Sequence, residues 1–395
     1  MSVDVAIIGG CGHVGLPLGV ALADRGLTVE LVDINASAVD LVNQGVLPFV
    51  EPGAAEVLEN VLAADRLHAT TDTAAVGRAE YVVVVIGTPI DEHLNPDLNA
   101  VHETIAEIAA ELVDGQVLVL RSTVYPGVTA MVEQLVARMG LDVDVAFCPE
   151  RIAEGKAMTE LYELPQIVAS CSPRALERAT KLFRNLTHEV IFLEPEEAEL
   201  AKLFTNTWRY IRFATANQLF MMANDFGLDY ERIRAALAYN YPRAADLPSA
   251  GFAAGPCLFK DTMQLAAFNN HNFHLGQAAV MINEGLPLYV VARLEQRFDL
   301  SEMTVGILGM SFKADSDDIR SSLSYKLKRI LRFKAADVLC HDPRVTVDPD
   351  LVELDEVLAR ADLLVIGAPH PMYADVEIET PVVDIWNLRA DGVMV

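Results

Sequence analysis

Short, mostly apolar runs punctuate the first half of this chain. Val3–Ile8, Thr28–Val32, Tyr81–Ile86, Val117–Leu120 and Val143–Phe147 carry few polar residues, and most stop at glycine or polar residues. Runs this brief and continuous predict parallel strands covered on both faces, with helices between them. Over 196–240 the spacing becomes helical and no strand interrupts it. Lys202 and Asn206, one helical turn apart, share a face there, and Asn217 and Asn224 recur at helical spacing. Residues 262–298 also read as helix, with Pro287 as a kink. Then Met303–Gly309, Val338–Cys340, Leu363–Ile366 and Val382–Ile385 restart the strand pattern. The expected architecture is α/β. Two Rossmann-like doubly wound lobes, 1–195 and 301–395, are joined by an all-helical middle, 196–300, that also offers a dimer seam.

The first strand runs into Gly10-Cys-Gly-His-Val-Gly15, and the second ends at Asp33, 18 residues past the last glycine. Strand, G-x-G-x-x-G, helix, strand and acid together predict a dinucleotide site. Gly10 is expected to allow the turn, Gly12 to admit the pyrophosphate, and Gly15 to let helix and strand pack. The phosphates would meet the helix N-terminus at His13 and Val14. Asp33 would bond the ribose hydroxyls and repel a 2′-phosphate, so the expected cofactor is NAD rather than NADP. His13 receives no catalytic role. Thr88, Ser122 and Thr123 follow strands and either line the cofactor or cap the next helices. Glu150 and Glu154 follow the next strand, as a solvated face or as site residues. Lys313 and Arg320 follow a strand of the second lobe, as anion ligands or solvated surface.

Charge narrows the partners. The 395 residues carry a formal net charge of −26 and are 52% apolar. This argues against nucleic acid or an anionic membrane, and leaves an anionic ligand to a few cations and to backbone N–H groups. The five cysteines form no CxxC pair, and the nine histidines show no HExxH or H-x-x-x-H spacing, so no metal is expected. Met1-Ser-Val-Asp enters a strand without a basic stretch, and no uninterrupted apolar run reaches membrane-span length. A reduced, cytoplasmic protein is expected.

The stretch from Gly251 to Asp261 reads Gly-Phe-Ala-Ala-Gly-Pro-Cys-Leu-Phe-Lys-Asp. Cys257 lies three residues before Lys260 and four before Asp261. A nearby ammonium and a helix start both favour the nucleophilic thiolate. A carboxylate one turn on can move a proton or orient water. A lone cysteine is otherwise most often inert core.

Taken in order, these blocks resemble the nucleotide-sugar 6-dehydrogenases, the UDP-glucose/UDP-N-acetylmannosamine dehydrogenase family. The likeness rests on Gly10–Gly15 with Leu16-Pro17, Glu51-Pro-Gly53, Ser122–Gly127, Pro149–Gly155 with Lys202 and Asn206, Cys257–Asp261, and Phe312–Arg320. It implies an NAD-dependent, four-electron oxidation of a UDP-hexose C6 alcohol to the uronic acid. Cys257 would be the nucleophile, Asp261 part of the water and proton machinery, and Lys202 and Asn206 oxyanion ligands that also touch substrate. Glu150 would act in thioester hydrolysis, and Thr123 would position water. Glu154 would lie near the nicotinamide, and Arg320 would face cofactor or interface. Arg151, Gly251, Phe252, Phe312 and Lys313 would line the nucleotide sugar, and Arg243 would reach that of a neighbouring subunit. A homodimer through the central helices is likewise implied. Ala253-Ala-Gly-Pro256 departs from the family's usual glycine pair before the cysteine. The Arg243–Cys257 interval resembles the N-acetylhexosamine branch, Lys260-Asp261 the UDP-glucose branch, and Gly251-Phe-Ala the GDP-mannose enzymes. The alternatives are GDP-mannose oxidation, a single-step β-hydroxyacid dehydrogenase, or an inactive NAD or nucleotide-sugar sensor. A short-chain epimerase is disfavoured, because no tyrosine has lysine four residues later.

Overall fold

Both sets of apolar runs become parallel sheets. The computed structural model describes residues 3–88, 91, 97, 99–391 and 395, and the chain divides into two units, Met1–Thr205 and Asn206–Val395. In the first unit lie β1 (Val3–Ile8), β2 (Val29–Val32), β3 (Leu67–Thr70), β4 (Ala79–Val84), β5 (Val117–Leu120), β6 (Asp144–Phe147), β7 (Gln166–Ala169) and β8 (Val190–Leu193). They form one sheet in the order β3-β2-β1-β4-β5-β6-β7-β8. All neighbours are parallel except β6 and β7, which meet antiparallel at Phe147 and Ala169. The helices between them are α1 (Gly15–Asp24), α2 (Ala36–Asn43), α3 (Ala54–Ala63), α4 (Asn99–Ile108), α5 (Val128–Arg138), α6 (Ala157–Glu163) and α7 (Pro173–Phe183).

Strand side chains alternate between two cores, as a two-residue repeat requires. Val5, Ile7, Leu31 and Val83 pack with Leu16, Val20 and Leu58 on one face. Ile8, Val32, Val82 and Val84 pack with Ile105, Val132 and Val136 on the other. Reversal of strand order between β1 and β4 creates the crevice, outside the carboxyl ends of the strands, where such sheets bind ligands.

Helix α8 (Pro195–Asp225) is 31 residues long, and the division between the units falls within it. The second unit continues with α9 (Tyr230–Ala238), α10 (Leu258–Phe268) and α11 (His274–Leu294). The helical stretches expected at 196–240 and 262–298 are therefore each broken. Gly227, at φ +69°, ends the first run, and the Asp229 carboxylate caps the restart through Glu231 N. Asn270 and His271, both left-handed, separate α10 from α11. Pro287 sits inside α11. Strands β9 (Thr304–Leu308), β10 (Asp337–His341), β11 (Leu363–Ile366) and β12 (Val382–Val383), with α12 (Leu323–Leu331) and α13 (Leu354–Arg360), complete the unit. Its parallel sheet runs β10-β9-β11-β12.

Although the chain has no uninterrupted apolar run of that length, α11 has the length and mean hydropathy (1.2) of a membrane span. It is nonetheless a packed helix. Asn283 is buried, accepting from Asn217 and donating to the Tyr210 carbonyl, and Glu284 pairs with Lys326 at 3.1 Å.

Candidate active site

The turn after β1 shows which glycine does what. Gly9, not Gly10, has the left-handed backbone, φ +75°, and a Cβ there would lie 2.0 Å from the Val85 carbonyl oxygen. Gly10 serves close approach instead, since its Cβ would lie 2.7 Å from Leu31 Cβ. Gly15 lets α1 start against the strand, its Cβ falling 2.4 Å from Gly9 O. Gly12 is the open member, where an added Cβ meets nothing nearer than Gly9 O at 3.6 Å. Val14 precedes α1 without a side-chain cap, and the first turn carries no acid. The N–H groups there are presented to an anion. His13 stacks on Phe49 at 4.0 Å between ring centroids.

Asp33 closes this turn from the end of β2. Its Oδ2 accepts from Cys11 N at 2.9 Å and its Oδ1 from Asn35 N at 3.0 Å. A carboxylate has about four acceptor positions, so capacity for ribose hydroxyls remains. Ile34 beside it is fully exposed. A glycine cradle, uncapped helix start and half-used acid fit NAD.

The ends of β4, β5 and β6 hold the other residues of this unit. Ser122 ties two strands together. Its hydroxyl accepts from Ile86 N at 2.7 Å and donates to Val84 O at 3.4 Å. Thr88 donates to Thr123 O at 2.6 Å. Glu150 is buried, with Oε1 accepting from Arg151 N and Ile152 N at 2.6 and 2.9 Å and Oε2 paired with Arg121. Arg121 is sealed from solvent, donates to Cys148 O and Gln166 Oε1, and stacks over Phe183. Glu150 is thus an anchored anion rather than a member of a solvated face. Arg151 turns its guanidinium to Pro165 O. Glu154 lies in a loop held by Glu51, which accepts from Gly155 N and Ala157 N at 2.9 and 2.8 Å. Glu199, on α8, holds the loop beyond Thr123 through Gly127 N and Thr129 N at 2.6 and 2.8 Å. Sequence reading does not single out Arg121 or Glu199, and it marks Glu51 only as part of the Glu51-Pro-Gly53 block, without a role. Their partners lie 27 to 106 residues away, so nothing local in the chain announces the contacts. Lys202 is buried on α8.

In the second unit Cys257 is the N-cap of α10, exposed, with Lys260 and Asp261 in the first turn. Asp261 is fully buried. Its Oδ1 pairs with Lys260 Nζ at 2.7 Å, and its Oδ2 accepts from Asn206 Nδ2 at 2.6 Å. The structure therefore joins Asn206 to Asp261 directly. Burial pushes Cys11, Cys148 and Cys340 up to about 12. Exposed Cys171 is pushed up by partial burial and then by Glu133 and Glu196. Cys257 alone combines exposure with a helix start and a lysine neighbour.

The segment before Cys257 leans on the second sheet's loops. A Cβ on Gly255 would lie 2.8 Å from the Phe312 ring, and one on Gly251 2.3 Å from Trp386. Phe252 meets Trp386 edge-on, and Asn217 holds the backbone of Gly251 through both N–H and carbonyl. The loop after β9 carries Phe312 and Lys313, with Lys313 Nζ 5.5 Å from the Phe312 ring centroid. Arg320 is exposed and forks onto buried Asp318 at 2.5 to 2.9 Å. Arg243 is exposed and lies over Tyr241.

The nucleotide cradle on the first sheet is that of an NAD-dependent oxidoreductase, and the second unit by itself presents an exposed thiol one turn before a caged carboxylate. Family models match three consecutive stretches. They are the NAD-binding domain at 3–187, the central domain at 196–285 and the UDP-binding domain at 306–389 of the UDP-glucose/GDP-mannose dehydrogenase family. A UDP-N-acetyl-D-mannosamine dehydrogenase from Pyrococcus horikoshii is 30% identical over 389 residues, covering 95% of this chain and 91% of the relative. The solved UDP-D-ManNAc dehydrogenase of that organism superposes with a TM-score of 0.88 at 28% identity, covering 95% and 91% of the two chains. A UDP-glucose dehydrogenase from Pyrobaculum islandicum superposes at 0.91 with 26% identity, covering 100% and 97%. The chain belongs to the UDP-glucose/GDP-mannose dehydrogenase family, and its substrate is a nucleotide sugar.

Proposed function

We propose that this protein oxidises the C6 alcohol of a UDP-hexose to the carboxylate, through a thioester on Cys257. The observation that carries the reading is the exposed thiol at the start of α10, one turn from an Asp261 carboxylate caged by Asn206 and Lys260. NAD, when bound, accepts one hydride from C6 in each of two rounds. After the first round the thiolate adds to the aldehyde carbon, forming a C–S bond and a tetrahedral oxyanion. The adduct leaves a carbon from which a second hydride can depart, giving the thioester. Water then replaces sulfur at that carbon, and the released thiolate is ready again. Lys202 and Asn206 stabilise the oxyanions, a role worth about 3 kcal/mol per donor. Asp261, with Thr123, orients the water, and Glu150 supports hydrolysis as a fixed charge. Lys313 and Phe312 hold the nucleotide end of the sugar, with Arg243 supplied to a neighbouring subunit.

The relatives' names point to N-acetylmannosamine and to glucose, and UDP-N-acetylhexosamine and UDP-glucose are both proposed substrates. We infer three functional segments near 1–195, 196–300 and 301–395, supported by the three matched stretches. A cytoplasmic homodimer through the central helices is part of the same reading. It is supported by Trp208, Met222, Phe226 and Tyr239, all exposed on α8, α9 and their flanks.

The test is NADH formed per sugar, with each of UDP-glucose, UDP-N-acetylglucosamine, UDP-N-acetylmannosamine, UDP-N-acetylgalactosamine and GDP-mannose limiting. Two NADH from one UDP-sugar is expected. One NADH, or two from GDP-mannose alone, would overturn the thioester route or the UDP assignment respectively. Cys257→Ser is expected to abolish steady turnover, and intact-mass spectrometry of wild type in turnover should find the acyl adduct on Cys257.

A further inference from the structure

In the second unit the loop that carries Lys313 is held by a buried histidine that sequence reading passed over. His370 follows β11 and is 1% exposed. Its two ring nitrogens grip the loop on either side of Lys313. Nδ1 accepts from the Asp315 N–H at 3.2 Å. A backbone N–H can only donate, so Nδ1 carries no proton and the proton sits on Nε2. Nε2 lies 3.0 Å from Ser311 Oγ and 3.1 Å from Asp342 Oδ2. Ser311 Oγ in turn donates to the Lys313 carbonyl at 2.8 Å. Asp315 has a left-handed backbone, φ +55°, a conformation that an external hydrogen bond helps to hold. Asp342 fixes the loop's base through Met310 N and Ser311 N at 2.7 and 2.9 Å. Tyr373 packs edge-on against the imidazole.

We propose that His370 is a positioning residue for nucleotide-sugar binding, because its Ser311 and Asp315 contacts bracket Lys313 and fix where that ammonium stands. The imidazole is too buried to touch a ligand, so it acts through the loop. The inference rests on reading Lys313 as a ligand of the nucleotide sugar. A ligating side chain whose supporting groups are removed commonly loses about ten- to a hundredfold in function.

The experiment measures UDP binding by calorimetry, and KM and kcat for the substrate, in wild type, Lys313→Ala, His370→Ala and His370→Gln. The glutamine keeps a donor toward Ser311 and Asp342 but offers no acceptor at the Nδ1 position. His370→Ala is expected to weaken UDP and raise the sugar KM about tenfold, with kcat and the NAD KM near wild type. His370→Gln should fall between, and carries the test if the alanine variant does not fold. A folded His370 variant that binds UDP as wild type does, while Lys313→Ala binds it poorly, would overturn the positioning role alone. If wild type does not bind UDP, or Lys313→Ala binds it undiminished, the reading of Lys313 itself is lost.

Discussion

The two sheets begin with the same turn and put it to different uses. β1 is followed by Gly9, φ +75°, and β9 by Gly309, φ +95°, and an added Cβ at either would strike the backbone of the neighbouring strand's exit at 2.0 or 2.5 Å. In each, the next strand of the sheet ends in an aspartate that reaches back to that turn. Asp33 spends one bond on Cys11 N and one on Asn35 N. Asp342 spends two on Met310 and Ser311, two on Arg344 and Val345, and one on His370. Asp33 is half-buried and retains acceptor capacity, whereas Asp342 is buried and saturated. In the first sheet a helix starts at Gly15, six residues past Gly9, but after Gly309 no helix starts until Leu323. The intervening loop carries Phe312, Lys313 and Arg320. One topology thus supports two different turns, a helix start with a receptive acid and a pinned loop that carries cations, the latter a recognition element only on the reading proposed above. Position at a strand end marks both acids as important, and only the count of bonds says which can take a ligand.

The largest effect should come from Asp342→Ala. It strands several buried N–H groups at once, so unfolding free energy should fall by roughly 4 kcal/mol or more, read by denaturant titration. Asp33→Ala should cost roughly 1 kcal/mol. Equal losses would erase the distinction.

Next come the glycines. Gly309→Ala should destabilise by roughly 2 kcal/mol and Gly9→Ala by as much, because both combine positive φ with a backbone collision. Gly12→Ala should leave the thermal midpoint unchanged and weaken NAD about tenfold, or about 1.4 kcal/mol, because only the ligand wants that space. A Gly12→Ala protein with normal NAD affinity would place the cofactor elsewhere.

A smaller effect is expected in cofactor choice. Asp33→Asn removes the charge that repels a 2′-phosphate, so the NAD over NADP ratio of kcat/KM should drop about tenfold. An unchanged ratio would put the discriminating residue outside β2.

The last effect is in acid. Burial alone would raise the Asp342 pKa, but the hydrogen bond from His370 and those from the Ser311 and Arg344 amides outweigh it, and the carboxyl lies well below its ordinary value. A depressed folded-state pKa gives stability that is present above the unfolded value and lost as pH falls through the folded one. Stability should therefore decline with acid below about pH 4. Asp342→Asn should flatten that slope, and an unaltered slope would mean other carboxyls set it.

Much of this was legible in the chain because it is local. The strands at Val117–Leu120 and Leu363–Ile366 are continuous apolar runs, Val3–Ile8 is broken only by Asp4, and the glycine loop and Asp33 follow at fixed offsets. β3, β7 and β8 were missed. Each has four residues, and β8 leaves Ile191 and Phe192 exposed, so hydrophobicity alone does not separate it from a turn. The motif begins at Gly10 and so points the turn there, whereas the constraint falls on Gly9 and is set by Val85, just past β4 and far along the chain. Lys202, Asn206, Cys257 and Asp261 could be named from spacing and resemblance. The Asn206–Asp261 bond, the Arg121–Glu150 pair and the Asp342–His370 knot could not. They span 55, 29 and 28 residues, and only the folded chain closes them.

The uneven treatment of the cysteines has a practical use. Three thiols are sealed and held protonated at neutral pH, and a fourth is ringed by glutamates. An alkylating reagent at limiting dose should therefore mark Cys257 first, and, on the role proposed for that thiol, the mass added in that fast phase counts competent catalytic centres in any preparation. The same label, blocked by bound substrate, would time how quickly each centre is vacated between turnovers.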